Sequence, residues 1–270
     1  MQVKIAERDV YAYTGARMPE PALPAIVFVH GAGNDHSVWA LQSRYFAHHG
    51  YNAFAIDLPA HGRSVGPALL SIQAIAAWIP ALLDGLGIRE AALVGHSMGA
   101  LAVLECAARH PERVTRVAML GPAAPMAVSD VLLDAAKRDD PVAFELITGW
   151  SYSAGKQLGG NTTPGVWLTG NALRLLERTR AGVLHADLVA CNDYSGALAA
   201  AAKLNCPALV ITGSRDIMAP PKNARELIGA LKGARVVDIP ECGHAIMAEQ
   251  PDRVLDALRA FLESLGLRIA

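Results

Sequence analysis

The stretch Gly95-His96-Ser97-Met98-Gly99 decides how the rest of the chain is read. Four apolar residues, Ala91-Ala92-Leu93-Val94, lead into it as a short buried strand. The Ala-, Leu- and Val-rich run from Ala100 to His110, closed by Pro111, leaves it as a helix. A serine on so tight a strand-to-helix turn has a strained backbone, and its hydroxyl stands clear of both elements. Glycines on either side remove side chains that would crowd the strand and the helix. A chance pentapeptide in a Gly- and Ala-rich chain would lack that setting. The stretch therefore predicts Ser97 as a nucleophile.

Outward from this turn, strands alternate with helices. Val3 to Tyr13 reads as a pair of edge strands. Ala25 to His30, Asn52 to Asp57, Arg113 to Leu120, Ala208 to Thr212 and Val236 to Ile239 read as further strands. Trp39 to His49, Ser71 to Leu86, Asn223 to Leu231 and Asp252 to Leu265 read as helices, the second despite Pro80. This alternation predicts an α/β fold, a parallel sheet with helices on both faces and its chemistry in loops at the carboxyl ends of the strands. It breaks after Gly121-Pro122 and resumes near Ala208. The expected division is a core of 1–122 and 205–270 with an insertion over 123–204 that covers those loops. Within the insertion, Asp130 to Arg138 and Ala172 to Asp193 read as helical. Gly149 to Gly170 is rich in Gly, Ser and Thr, and Ser153 to Gly165 is a candidate lid edge.

Composition narrows the partners. The 270 residues are 52% hydrophobic and 18% charged, with a formal net charge of −1 and no basic block, which argues against nucleic acid or an anionic membrane surface. No apolar run reaches the roughly 18 residues of a membrane-spanning helix. The first nine residues carry charges where a signal peptide would need an apolar core. Cys106, Cys191, Cys206 and Cys242 form no C-x-x-C pair, so reduced thiols in a cytoplasmic protein are expected. No metal-ligand spacing, dinucleotide fingerprint or phosphate loop appears. The expected partner is a small molecule without a cofactor, and a homodimer is left open.

A serine hydroxyl is a weak nucleophile and needs a base, which in turn needs an orienting carboxylate. His244, in Glu241-Cys242-Gly243-His244, follows the last strand; Asp216, in Gly213-Ser214-Arg215-Asp216, follows the strand before it. Asp57 and Asp130 are the rival acids, but the Asp57 loop, Leu58-Pro59-Ala60-His61-Gly62-Arg63-Ser64, reads as structural turn chemistry. His48 and His49 share a surface helix, His110 ends a helix, His36 and His185 lack a strand-end setting, and His96 supports the turn. The oxyanion of an acyl-transfer intermediate requires N–H donors. Met98, at the start of the helix, and Ala32, in His30-Gly31-Ala32-Gly33, are in position, with an ordinary glycine turn as the plain alternative for the second.

On these five segments the chain resembles the α/β-hydrolase superfamily, in its branch of small cap-bearing esterases. The resemblance spans the chain outside the insertion. It implies a mostly parallel eight-stranded sheet, a helical cap, and the order Ser97, Asp216, His244 for nucleophile, acid and base. Ala60 stands where the family usually has Gly. Members with an Asp nucleophile, dehalogenases and epoxide hydrolases, are disfavoured by Ser97. The expected activity is hydrolysis of a small to medium carboxylic ester. A carbon–carbon bond hydrolase, a lactonase or a thioesterase could use the same triad, and a small-molecule receptor could share the fold. Gly31, His96, Trp150 and Trp167 are candidate substrate contacts. Arg174, Arg178 and Arg180 are candidates for a substrate carboxylate, against the plainer reading of a solvated helix face.

Overall fold

The computed structural model describes residues 1–161 and 165–263. Its strands are β1 (Gln2–Ile5), β2 (Arg8–Tyr13), β3 (Ala25–Val29), β4 (Asn52–Ile56), β5 (Ala91–His96), β6 (Val114–Leu120), β7 (Ala208–Gly213) and β8 (Arg235–Ile239). They form one sheet in the order β1-β2-β4-β3-β5-β6-β7-β8. The first two strands join it antiparallel, and β3 to β8 run parallel. Strands β3 and β5 are apolar and buried along their length because both faces are covered.

Twelve α-helices lie among the described residues. They are α1 (Ala40–Ala47), α2 (Ile72–Gly85), α3 (Met98–Arg109), α4 (Asp130–Lys137), α5 (Val142–Ser151), α6 (Ala154–Gln157), α7 (Leu168–Leu176), α8 (Val183–Asn192), α9 (Ala197–Lys203), α10 (Arg225–Ala230), α11 (Ile246–Glu249) and α12 (Pro251–Glu263). Alternate residues of one strand serve the two layers. Val27 and Val29 pack with α2 and α3, while Ile26 and Phe28 pack with Trp39, Phe46 of α1 and Leu258 of α12. Helix α2 runs through Pro80, and Ser71 caps its start by accepting from the Ala74 N–H.

The register brings the strand ends level. Val29 lies beside Gly95, His96 beside Leu120, Leu120 beside Ile211, and Gly213 beside Ile239. The loops after β3, β5, β6, β7 and β8 therefore open at one edge.

The segment between β6 and β7 differs from its sequence reading in three ways. The single helical patch expected over Ala172 to Asp193 is two helices, α7 and α8, separated at Gly182, whose φ of +75° breaks the helix. Helix α5 occupies part of the expected Gly-rich stretch, because Val142 to Leu146 supply an apolar start. Residues 162–164 of the candidate lid edge, and the last two residues of the expected closing helix, lie outside the described residues. Finally, the segment packs as two groups. Leu132 and Ala135 of α4, Ile147 of α5, Leu176 of α7 and Leu188 of α8 form a small cluster of their own. Ala197, Ala200 and Ala201 of α9 instead join the main core beside α3.

Candidate active site

Ser97 sits between β5 and α3 with φ +54° and ψ −117°, a backbone conformation that costs on the order of 1–3 kcal/mol for a side chain other than glycine. Its neighbours show what holds it there. A Cβ on Gly95 would overlap the carbonyl of Gly99, and a Cβ on Gly99 would overlap the carbonyls of Val29 and His30. Only glycine lets helix, strand and the β3 loop meet so closely. The Ser97 N–H donates to the Leu120 carbonyl at 2.9 Å.

His244 reaches the same cavity from the loop after β8. Its Nδ1 donates to Asp216 Oδ2 at 2.7 Å, and both side chains are buried. The other Asp216 oxygen accepts the N–H groups of Met218 and Ala219 at 2.9 and 2.8 Å. Burial alone would raise the Asp216 pKa. The charge and hydrogen bond of His244, with the two N–H groups, outweigh burial and hold it below the ordinary value. With Nδ1 committed to the carboxylate, Nε2 of His244 carries the free lone pair. The loop is also pinned from below. Gly243 N–H donates to the buried Glu249 carboxylate at 3.0 Å, and the same carboxylate accepts from Ser153 Oγ at 2.6 Å. A Cβ on Gly213 would overlap the Gly243 carbonyl, and one on Gly121 would lie 3.1 Å from the His244 ring.

Two further histidines are held neutral. His96 Nε2 donates to the His244 carbonyl at 2.9 Å, and burial followed by the nearby His244 pushes its pKa down to about 3. His30 donates from Nδ1 to the Gly31 carbonyl at 2.8 Å and accepts the Leu58 N–H at Nε2. A proton on Nε2 would break the second bond. Burial and the neighbouring His61 lower the His30 pKa to about 4. His96 thus ties the end of β5 to the loop that carries His244. Asp57 braces its own loop: its oxygens accept from His36 N–H and Nδ1 at 2.7 Å each and from Arg63 N–H at 2.9 Å.

Ser97, His244, Gly31 and Ala32 line one lobe of a cavity of roughly 200 Å³, and Trp150 and Met126 contribute to its apolar wall. Among the described residues no hydrogen bond takes up the N–H of Ala32 or of Met98. Asn34, His96, Ile147 and Ser151 lead to a second lobe of roughly 530 Å³ between α5, α7 and α11, which Arg174 and Arg178 border. Trp167 is 73% exposed and lines neither lobe. Arg180 turns away to donate to the Ser64 and Gly62 carbonyls. Cys242 is buried, which pushes its thiol pKa up, so it packs beside His244 as a small apolar residue.

Residues 26–257 match the model of the alpha/beta hydrolase family. The chain belongs to that family. Among curated proteins it is 24% identical over 245 residues to (E)-2-((N-methylformamido)methylene)succinate hydrolase of Acinetobacter baylyi, covering 88% of this chain and 90% of the relative. Its fold matches the enol-lactonase of Burkholderia xenovorans with a TM-score of 0.83 at 23% identity, over 97% of this chain and 99% of the other. An esterase of Exiguobacterium antarcticum matches with a TM-score of 0.83 at 17% identity, over 97% and 98%. No helix among the described residues of this hydrolase is long and apolar enough to cross a membrane.

Within the family frame, Ala60 has φ +71°, the left-handed region where glycine is usual. Glu249, Asp187 and His61 play parts that the sequence reading did not assign. Each is a polar residue in a helix or turn with at least one partner far away in sequence, so neither spacing nor periodicity marks it.

Proposed function

We propose that this chain is a serine hydrolase of carboxylic esters that works through an acyl-enzyme. Ser97 Oγ attacks the carbonyl and passes its proton to His244 Nε2. Asp216 keeps the imidazole in the correct tautomer and stabilises the imidazolium that forms. The N–H groups of Ala32 and Met98 receive the oxyanion, the second with the help of the α3 dipole. His244 then donates the proton to the leaving alcohol, and water repeats the sequence on the acyl-enzyme. The observation that carries this reading is Ser97 at φ +54° sharing a cavity with a histidine whose other nitrogen is bonded to a buried carboxylate. The helices above the cavity act as a cap, and the small apolar lobe beside Ser97 takes the acyl group.

A lactone or ester that bears a carboxylate is the second reading. The large lobe is bordered by Arg174 and Arg178 and, among the described residues, by no Asp or Glu. Arg174 already pairs with Glu177, which leaves Arg178 the better placed cation. The Acinetobacter relative is named as the hydrolase of a substituted succinate, which supports an anionic substrate.

One panel tests both. p-Nitrophenyl esters, lactones and thioesters are assayed beside monoethyl and diethyl adipate, with Ser97→Ala as control and a fluorophosphonate probe to mark the nucleophile. Labelling of Ser97 and loss of turnover by at least about 10⁴-fold in Ser97→Ala are expected. Labelling that survives in Ser97→Ala removes the nucleophile assignment. A preference for the half-ester favours the anionic reading, and indifference removes it.

A further inference from the structure

The turn that presents Ala32 is held from above by two side chains of the helical segment. Gly33, next to Ala32, has its N–H bonded to Asp187 Oδ2 of α8 at 2.9 Å, and its carbonyl accepts from Thr179 Oγ1 at 2.9 Å. These partners lie 154 and 146 residues along the chain. Gly33 has φ +67°, and a Cβ there would lie 3.0 Å from both Leu176 and Leu184. Ala32 itself packs against the small cluster of α4, α5, α7 and α8. From these contacts we propose that Asp187 and Thr179 are positioning residues that set the Ala32 N–H for catalysis, so that the oxyanion site is complete only when the helical segment is seated. The proposal rests on the serine hydrolase reading.

Asp187 is buried, and so is the histidine bonded to it. His61 Nε2 donates to Asp187 Oδ2 at 2.8 Å, and His61 Nδ1 donates to the Pro59 carbonyl at 3.0 Å. Both nitrogens face acceptors, which fits the doubly protonated ring. Burial would lower the His61 pKa, but the charge and hydrogen bond of Asp187 exceed it and raise the value above the ordinary one. The other groups facing His61 are the neutral His30 ring, 4.8 Å away centroid to centroid, and Asp57, itself bonded to His36 and Arg63. The pair is intact below the raised His61 pKa and is lost as pH rises through it.

The test compares Asp187→Ala, Asp187→Asn and Thr179→Val with the parent enzyme. On p-nitrophenyl acetate, Asp187→Ala is expected to lower kcat about 10-fold or more with KM within about 2-fold, the size of a lost positioning contact. Affinity for a trifluoromethyl ketone transition-state mimic should fall in parallel. Asp187→Asn keeps an acceptor for Gly33 and should recover part of kcat while changing the alkaline limb of the pH profile. Thr179→Val leaves the ion pair intact and should give a smaller loss of the same kind. Unchanged kcat and mimic affinity in both Thr179→Val and folded Asp187→Ala, or a loss confined to KM, overturns the proposal. Amide exchange at residues 31–34 provides a readout without substrate. It should quicken in Asp187→Ala and Thr179→Val, and unchanged exchange there defeats the clamp. If the parent neither cleaves esters nor labels at Ser97 while exchange still quickens, the hydrolase reading has failed and the clamp has not.

Discussion

The turns after β5, β7 and β8 bring backbone against backbone with no room for a methyl group, whereas the helices between β6 and β7 meet the same cavity through side chains. Gly95, Gly99 and Gly213 each touch another segment's carbonyl where a Cβ would stand. Trp150, Ile147 and Leu188 instead project into the cavity from helices or their ends, packed in a cluster separate from the main core. The first construction fixes geometry to a fraction of an ångström. The second allows the wall to change while the fold stays. Machinery and selectivity are therefore expected to separate under mutation, with the Gly33 clamp as their junction.

The largest effect falls on the machinery. Asp216→Asn should lower kcat by about 10⁴-fold, as when a triad acid loses its charge, and by the same factor for every ester in a chain-length series. A loss that varies strongly with chain length would break the separation. Circular dichroism should show the fold retained.

Stability against pH divides the two regions by sign. His30 and His96 have lowered pKa values, so the unfolded chain binds protons that the folded chain refuses. Their contribution is present above the ordinary histidine pKa of about 6.5 and is lost as pH falls toward about 4 for His30 and about 3 for His96, at up to about 1.4 kcal/mol per pH unit for each ring. Urea unfolding at pH 7, 6 and 5 should show this slope, and His96→Asn should flatten it by one ring's share. The His61–Asp187 pair contributes in the opposite direction: its raised histidine supports the fold at low pH and ceases to as pH rises through its pKa. Asp187→Asn should therefore remove an alkaline loss of stability and leave the acid slope in place.

The smallest effect belongs to the wall. Trp150→Ala should change relative kcat/KM across acyl chain lengths by about 10-fold, since a pocket contact is worth about 1–3 kcal/mol, with acetate esters little affected. Trp167→Ala, at an exposed position that lines neither lobe, should stay within about 2-fold on every ester. Equal losses on all esters with a lowered Tm would make Trp150 a packing residue and erase the contrast.

Much of the first region was legible in the sequence. Apolar runs such as Ala25 to Val29 mark strands because both sheet faces are covered, and the G-x-S-x-G glycines mark a turn that only glycine permits. Both Asp216 and Asp57 follow strands, and it was the turn chemistry of the Asp57 loop that set Asp57 aside; in the structure Asp216 faces His244, while Asp57 bonds within its own loop and to His36. The second region was harder. Alanine-rich α9 gives no apolar stripe to show that it packs beside α3, and the break between α7 and α8 depends on one left-handed glycine among many. Trp150 and Trp167 looked equivalent because aromatic character does not say which way a side chain faces.

The sequence by itself determined the order of strands and helices, the strained serine turn and the residues able to form a His–Asp pair. These follow from local sterics and from periodic burial, which short stretches of chain encode. Only the tertiary structure decided that the Asp187 carboxylate raises the pKa of His61 while burial lowers that of the nearby His30. Likewise, only the structure showed Glu249 pinning the His244 loop and Asp187 and Thr179 gripping both polar groups of Gly33. The protonation state of a buried ring depends on which donors and acceptors surround it, and for His61 the decisive one, Asp187, arrives from 126 residues away.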